Sequence, residues 1–174
     1  ADDFLKKPIA KDELLARMRA GLRVLELESR LSRLARSDSL TGLYTQRTFY
    51  ELLGKEWARS ERHRTPISCV ILDVDFFKRI NDTYGHSVGD EVIRRVARVL
   101  ESHSRQGDIV SRYGGEEFCV LLPQTTETQA VEWAERIRQT LMKTAIVVGS
   151  HTLQITASFG VAQRQELTAN PEEL

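Results

Sequence analysis

Net charge, cysteine and long apolar runs are all scarce in this chain, and each shortage closes off a class of function. Twenty-five basic residues balance 25 acidic ones among 174, for a formal charge of zero and a pI near 7.1. No global field therefore draws the chain to nucleic acid or to an anionic membrane, and any polyanion must be met at a local site. The longest apolar run, Cys69 to Leu72 with its immediate flanks, falls far short of the roughly 18 residues that span a bilayer. Two cysteines, Cys69 in SCVIL and Cys119 in FCVLL, are too few for a disulfide framework and read as buried thiols in a reducing compartment. The opening residues ADDFLKKP are polar and carry no apolar signal-peptide region, so a cytoplasmic location is expected. What remains, with 41% hydrophobic and 29% charged residues, is one domain's worth of chain with a real core.

From Lys11 to about Arg36 there is no proline and one glycine, and Ala20, Val24, Leu27, Leu31 and Leu34 recur at spacings of 4, 3, 4 and 3. That seam predicts a long helix, either packed on its own domain or paired in a parallel two-chain coil. The helix is expected to end near Ser37 and Asp38, whose short polar side chains compete for the backbone. Helical spacing returns from Thr45 to Arg62, Pro66 stops it, and Ile67 to Leu72 reads as a central strand. Gly89 to Ser102 and Thr126 to Met142 read as amphipathic helices, and Asp108 to Tyr113 and Phe118 to Leu122 as strands joined by a Gly114-Gly115 turn. Ala145 to Val148 and Leu153 to Val161 read as further strands around Gly149-Ser150. The order β-α-β-β-α-β predicts an α/β fold, an antiparallel-containing, ferredoxin-like sheet covered by helices.

Asp73 and Asp75 follow the apolar strand at period 2, so both leave one side of the chain where it emerges from the core. Glu116 and Glu117 sit at the tip of the Gly-Gly hairpin, on a strand that can neighbour the first. Three or four acids held together repel one another unless a cation neutralises them, and oxygen-only ligands suit Mg²⁺ or Mn²⁺. Gly114 and Gly115 lack a Cβ, which lets a bulky ligand lie against the backbone.

Arg112-Tyr113-Gly114-Gly115-Glu116-Glu117-Phe118 resembles the signature of GGDEF-domain diguanylate cyclases in its GGEEF form, and the resemblance extends to DSLTGLYTQR (38–47), LDVDFFKRINDTYGHSVGD (72–90) and TASFGVA (156–162). It covers about Asp38 to the C-terminus. It implies an enzyme that condenses two GTP molecules into cyclic di-GMP with release of pyrophosphate, on a sheet like the palm of adenylyl cyclases and polymerases. By the same resemblance Asp73, the carbonyl of Val74 and Glu116 are metal ligands, Glu117 is the second acid of a two-metal centre, and Glu116 also stands at the proton-acceptor position. Phe76, Phe77 and Lys78 match the turn that meets the terminal phosphates, with packing expected for the two phenylalanine side chains. Asn81 and Asp90 match the guanine readers, and His86 a neighbouring substrate contact. Arg105 and Asp108 match an RxxD site for inhibitory product, and Arg136 a secondary contact to it.

Two departures stand out. Thr45 and Gln46 occupy positions where the family usually shows Asn-Arg, and the chain stops at Leu174 where the family continues with a helix and strand carrying phosphate-binding Lys and Arg. Residues 38–174 thus read as a C-terminally truncated cyclase domain. Residues 1–10, with Lys7-Pro8, resemble the end of a response-regulator receiver domain, which makes 11–37 a stalk that pairs two chains below an upstream receiver. A catalytically silent module that senses cyclic di-GMP or GTP is the alternative. A dimerisation stalk with an inert partner-binding domain explains the heptads but not the acids.

Overall fold

The chain divides into two units, Ala1–Ala35 and Arg36–Leu174. The computed structural model describes residues 36–165 and, in the first unit, residues 15, 17–19 and 21–23, which are helical. The receiver-like residues 1–10, the seam positions Ala20, Val24, Leu27, Leu31 and Leu34, and residues 166–174 lie outside the described residues. No helix among the described residues is long and apolar enough to cross a membrane.

In the second unit the elements run Tyr44–Thr45 (β1), Gln46–His63 (α1), Ile67–Val74 (β2), Phe77–Tyr84 (α2), His86–His103 (α3), Ile109–Arg112 (β3), Glu117–Pro123 (β4), Glu127–Lys143 (α4), Ile146–Val148 (β5), His151–Leu153 (β6) and Ala157–Gln163 (β7). A five-stranded sheet has the order β1-β3-β4-β2-β7, antiparallel throughout except for the β1–β3 pair. The strands β2, β3, β4 and β7 with α3 and α4 reproduce the anticipated βαββαβ ferredoxin-like arrangement, and β5–β6 form a separate two-stranded ribbon.

Alternation along β2 decides which side of the sheet holds the core. Val70, Leu72 and Val74 are buried, as are Phe118, Val120 and Leu122 across the ladder, and they pack against Val92, Ile93, Val96 and Leu100 of α3 and Ile137 and Leu141 of α4. The other face carries Phe49 and Leu53 of α1 against Ile109, Cys119 and Leu121. Ile71, on this second face, is 43% exposed. The central strand is therefore not buried on both faces along its whole length, as a doubly apolar strand would be.

Local chemistry explains the helix ends. Thr45 caps α1, its hydroxyl accepting from the Thr48 amide at 3.4 Å, so one of the two departures from the family pattern serves as an N-cap. Arg64 closes α1 in the left-handed region at φ 52°, and Thr126 opens α4 with a reciprocal Thr126–Gln129 capping box.

Three expectations need correction. Helix α2 stands where the sequence reading placed no element, and α3 begins at His86, one turn before Gly89. The run Leu153 to Val161 is not one strand: β6 ends at Leu153 and β7 starts at Ala157. Between them Ile155 turns into the core and the Thr156 carbonyl accepts from the Asp75 amide at 3.0 Å, so the backbone is spent on the exit of β2 rather than on the ribbon. Phe118, completely buried where β4 crosses the core, makes the packing testable. Phe118→Ala is expected to lower unfolding free energy by about 3–5 kcal/mol, read as an earlier urea midpoint with an unchanged slope.

Candidate active site

The end of β2 and the start of β4 are tied by their register. Asp73 pairs with Glu117, so two carboxylates face each other on the side of the sheet that α1 covers only in part. Like charges directly opposite on neighbouring strands destabilise the pair. The hairpin that delivers Glu117 is tight: the amides of Tyr113 and Gly114 both donate to the Glu117 carbonyl, at 2.8 and 3.2 Å, and the Glu116 carbonyl accepts from the Val74 amide at 3.2 Å. A Cβ at Gly114 would displace the Glu117 carboxylate, which folds back over the turn. Gly115 is exposed and has open space where a side chain would stand.

Arg112 holds this turn in place. Its guanidinium donates to the Gly115 carbonyl at 2.8 Å and, 3.2 Å away, to both carboxylate oxygens of Asp38. Asp38 also accepts from the amide and hydroxyl of Thr41, at 2.9 and 2.7 Å. Partial burial opposes ionisation of Asp38, but the Thr41 bonds and the Arg112 charge outweigh it and leave the carboxyl below its ordinary value of 3.8. The DSLTG loop and the hairpin tip thus share one cation.

Of the other predicted residues, Asp75 is a structural acid in this arrangement, its carboxylate accepting from the Ser158 hydroxyl at 2.7 Å. Phe76 departs from the packing expected of it: with φ 58° at the head of α2 it is 78% exposed, because the left-handed turn throws its ring outward. Phe77 packs against the core, and Lys78 is exposed on α2. Asn81 lies inside α2, and its Oδ1 is buried with no hydrogen-bond partner. A Cβ at Gly89 would strike that same oxygen, so α2 and α3 close on each other at Asn81 and Gly89, beside the exposed Asp90. His86 is exposed as the first residue of α3. Among the described residues, no three Asp, Glu, His or Cys side chains converge closely enough to enclose a cation.

Arg105 and Asp108 form a turn apart from these acids, with the Arg105 amide donating to the Asp108 carboxylate at 2.7 Å. Burial pushes the Asp108 carboxyl up, against the hydrogen bond and charge of Arg105. They line a groove of about 330 Å³ with Glu56 and Arg59 of α1, while Arg136 stands exposed on α4 outside that lining. The sequence reading missed Arg59. Only the tertiary approach of α1 to the 105–108 turn could have found it.

Comparison with known proteins settles the family. Residues 35–174 match the family model described as diguanylate cyclase, GGDEF domain. The chain belongs to the GGDEF-domain family. It is 37% identical over 182 residues to the response regulator PleD of Caulobacter vibrioides, spanning 99% of this chain and 40% of that protein. It is 42% identical over 139 residues to the diguanylate cyclase DgcM of Escherichia coli K12, spanning 80% of this chain and 33% of that one. The chain thus spans less than half the length of these curated relatives. The GGDEF domain of DgcB from Caulobacter crescentus, solved in complex with c-di-GMP, superposes with a TM-score of 0.72 at 35% identity, covering 75% of this chain and 76% of that one.

The Asp38–Arg112 contact of this GGDEF domain sets a pH dependence. A carboxyl whose folded pKa is depressed contributes stability that is full above its ordinary value of 3.8 and is lost as pH falls through the lower folded value. Asp38→Asn should therefore cost about 1–2 kcal/mol at neutral pH, with solvent screening keeping it at the low end. Urea midpoints of parent and variant should converge as the pH is taken below 3.8.

Proposed function

We propose that this GGDEF domain condenses two GTP molecules into cyclic di-GMP with release of pyrophosphate. The opposition of Asp73 and Glu117 across β2 and β4 carries the reading, since a like-charged pair at a strand end is costly unless a cation meets it. The family membership supports it, as do the relatives named diguanylate cyclase and solved with c-di-GMP.

The donor chemistry fits a hard divalent ion, because every candidate ligand is an oxygen: Asp73, Glu116, Glu117 and the Val74 carbonyl would hold Mg²⁺ or Mn²⁺, two per site in this reading. When bound, such ions neutralise the triphosphate and favour a 3′-oxyanion nucleophile. The chain's own residues do the remaining work. Gly114 and Gly115 admit the nucleotide against the backbone, and Lys78 with the Phe76–Phe77 turn meets the terminal phosphates. Asn81 and Asp90 read guanine, an amide and a carboxylate suiting a base that presents O6 as acceptor and N1–H with N2–H₂ as donors, with His86 beside them. Glu116 takes the position of proton acceptor.

One domain holds one GTP, so bond formation needs two domains face to face. The N-terminal helix, paired along Val24, Leu27, Leu31 and Leu34, supplies that proximity as a homodimer. In the parent chain an upstream receiver domain controls the pairing. Arg105 and Asp108, assisted by Arg136, bind cyclic di-GMP as inhibitor.

Chromatography of products after incubating the protein with GTP and Mg²⁺ tests the activity; GTP binding without turnover would replace the enzyme reading with the sensor reading. In Glu117→Gln, cyclic di-GMP formation should fall by more than about 100-fold. The same substitution should raise unfolding free energy by about 0.2–1 kcal/mol, because it removes the repulsion of Asp73. Near-parental turnover at saturating Mg²⁺ would overturn the metal assignment. For the inhibitory site, Arg105→Ala should weaken cyclic di-GMP binding by about 1.5–3 kcal/mol in calorimetry, and unchanged affinity would reduce the motif to a loop contact.

A further inference from the structure

The two cysteines, 50 residues apart in sequence, meet in the fold. Cys69 pairs in register with Leu121 and Cys119 with Ile71, so the thiols are diagonal neighbours on one face of the β2–β4 ladder. Their sulfurs lie 3.3 Å apart, in direct contact. An S–S bond of about 2.05 Å requires the sulfurs to close by a further distance of about 1.2 Å. Both thiols are free, Cys69 half-buried and Cys119 buried, and they line a groove of about 360 Å³ together with Leu53, Ile71, Tyr113 and Gly160. The groove is open to a small solute where the face of β2 has no helix over it among the described residues, as the 43% exposure of Ile71 shows.

We propose that Cys69 and Cys119 form a dithiol modification site that reacts with a hydroperoxide-class oxidant and closes to an intramolecular Cys69–Cys119 disulfide. Cys69 is the attacking sulfur, because it is the one more open to the groove and its sulfur is in hydrogen-bond contact with that of Cys119. That hydrogen bond holds the Cys69 thiol below its ordinary value. Attack of the Cys69 sulfur on the peroxide breaks the O–O bond and leaves a sulfenic acid and one water. The Cys119 sulfur then displaces the sulfenic hydroxyl, which departs with the Cys119 proton as a second water. Two thiols and one H₂O₂ give one disulfide and two waters, the two electrons coming from the sulfur pair. The contact between the sulfurs lets this second step outrun further oxidation. The site shares no residue with the cyclase reading and does not rest on it.

Hydrogen peroxide added to the reduced 174-residue chain tests the site. Alkylation followed by non-reducing peptide mapping should show loss of both reactive thiols, one Cys69–Cys119-linked peptide within a single chain, and full return of the thiols with dithiothreitol. Cys119→Ser should leave Cys69 as a sulfenic acid that dimedone traps, with no linked peptide. Thiols that stay alkylatable in the folded parent, sulfinic acid on Cys69 without a crosslink, or linkage only between chains would each overturn the proposal. The parent mapping alone decides it if the variant does not fold.

Discussion

Register between β2 and β4, set over the seven residues Ile67 to Asp73, governs both the core and the site. A slip of one residue would turn Val70, Leu72 and Val74 out of the helix-covered face and carry Asp73 into it. The burial of those three residues with Phe118, Val120 and Leu122 therefore determines that Asp73 and Glu117 stand opposite each other on the other face. Core packing stabilises an arrangement that its own electrostatics disfavours.

The hairpin between β3 and β4 needs separate support, because its glycines contribute no side-chain contacts. Arg112 provides it by binding the Gly115 carbonyl and Asp38 together. Asp38 in turn organises its own loop through Thr41. The half-buried ion pair is more valuable than a solvated one because both partners are held by further hydrogen bonds. A positive charge at the end of β3, anchored to Asp38 outside the hairpin, thus fixes a turn whose own charges are all negative.

The two faces of the sheet serve different ends. One is sealed by α3 and α4 around a continuous apolar cluster. The other, covered by α1 over Ile109, Cys119 and Leu121, stays open near Ile71 and carries the acids and thiols. Polar and reactive groups collect where burial is incomplete, since a charge needs water or a ligand to offset its desolvation.

Sequence alone determined most of the strand and helix order and the ferredoxin-like sheet, because period-2 and period-3.6 patterns are local properties of the chain, and it showed the family through the resemblance of contiguous motifs such as RYGGEEF. Helix α2 escaped notice because FKRINDTY is only eight residues long, and its apolar Phe77 and Ile80 are held by packing against the core. Strand β1 escaped because two residues show no period, and it exists only through pairing with β3. Candidate residues were legible where motif and spacing coincide, as at Asp73 and Glu117. The exposure of Phe76, the diversion of Asp75 to Ser158, the place of Arg59 beside Arg105 and the meeting of Cys69 with Cys119 were decided by tertiary structure. Phe76 is turned outward by its own left-handed backbone, while the other three depend on contacts between residues distant in sequence, and one-dimensional periodicity does not encode which distant residues pack together.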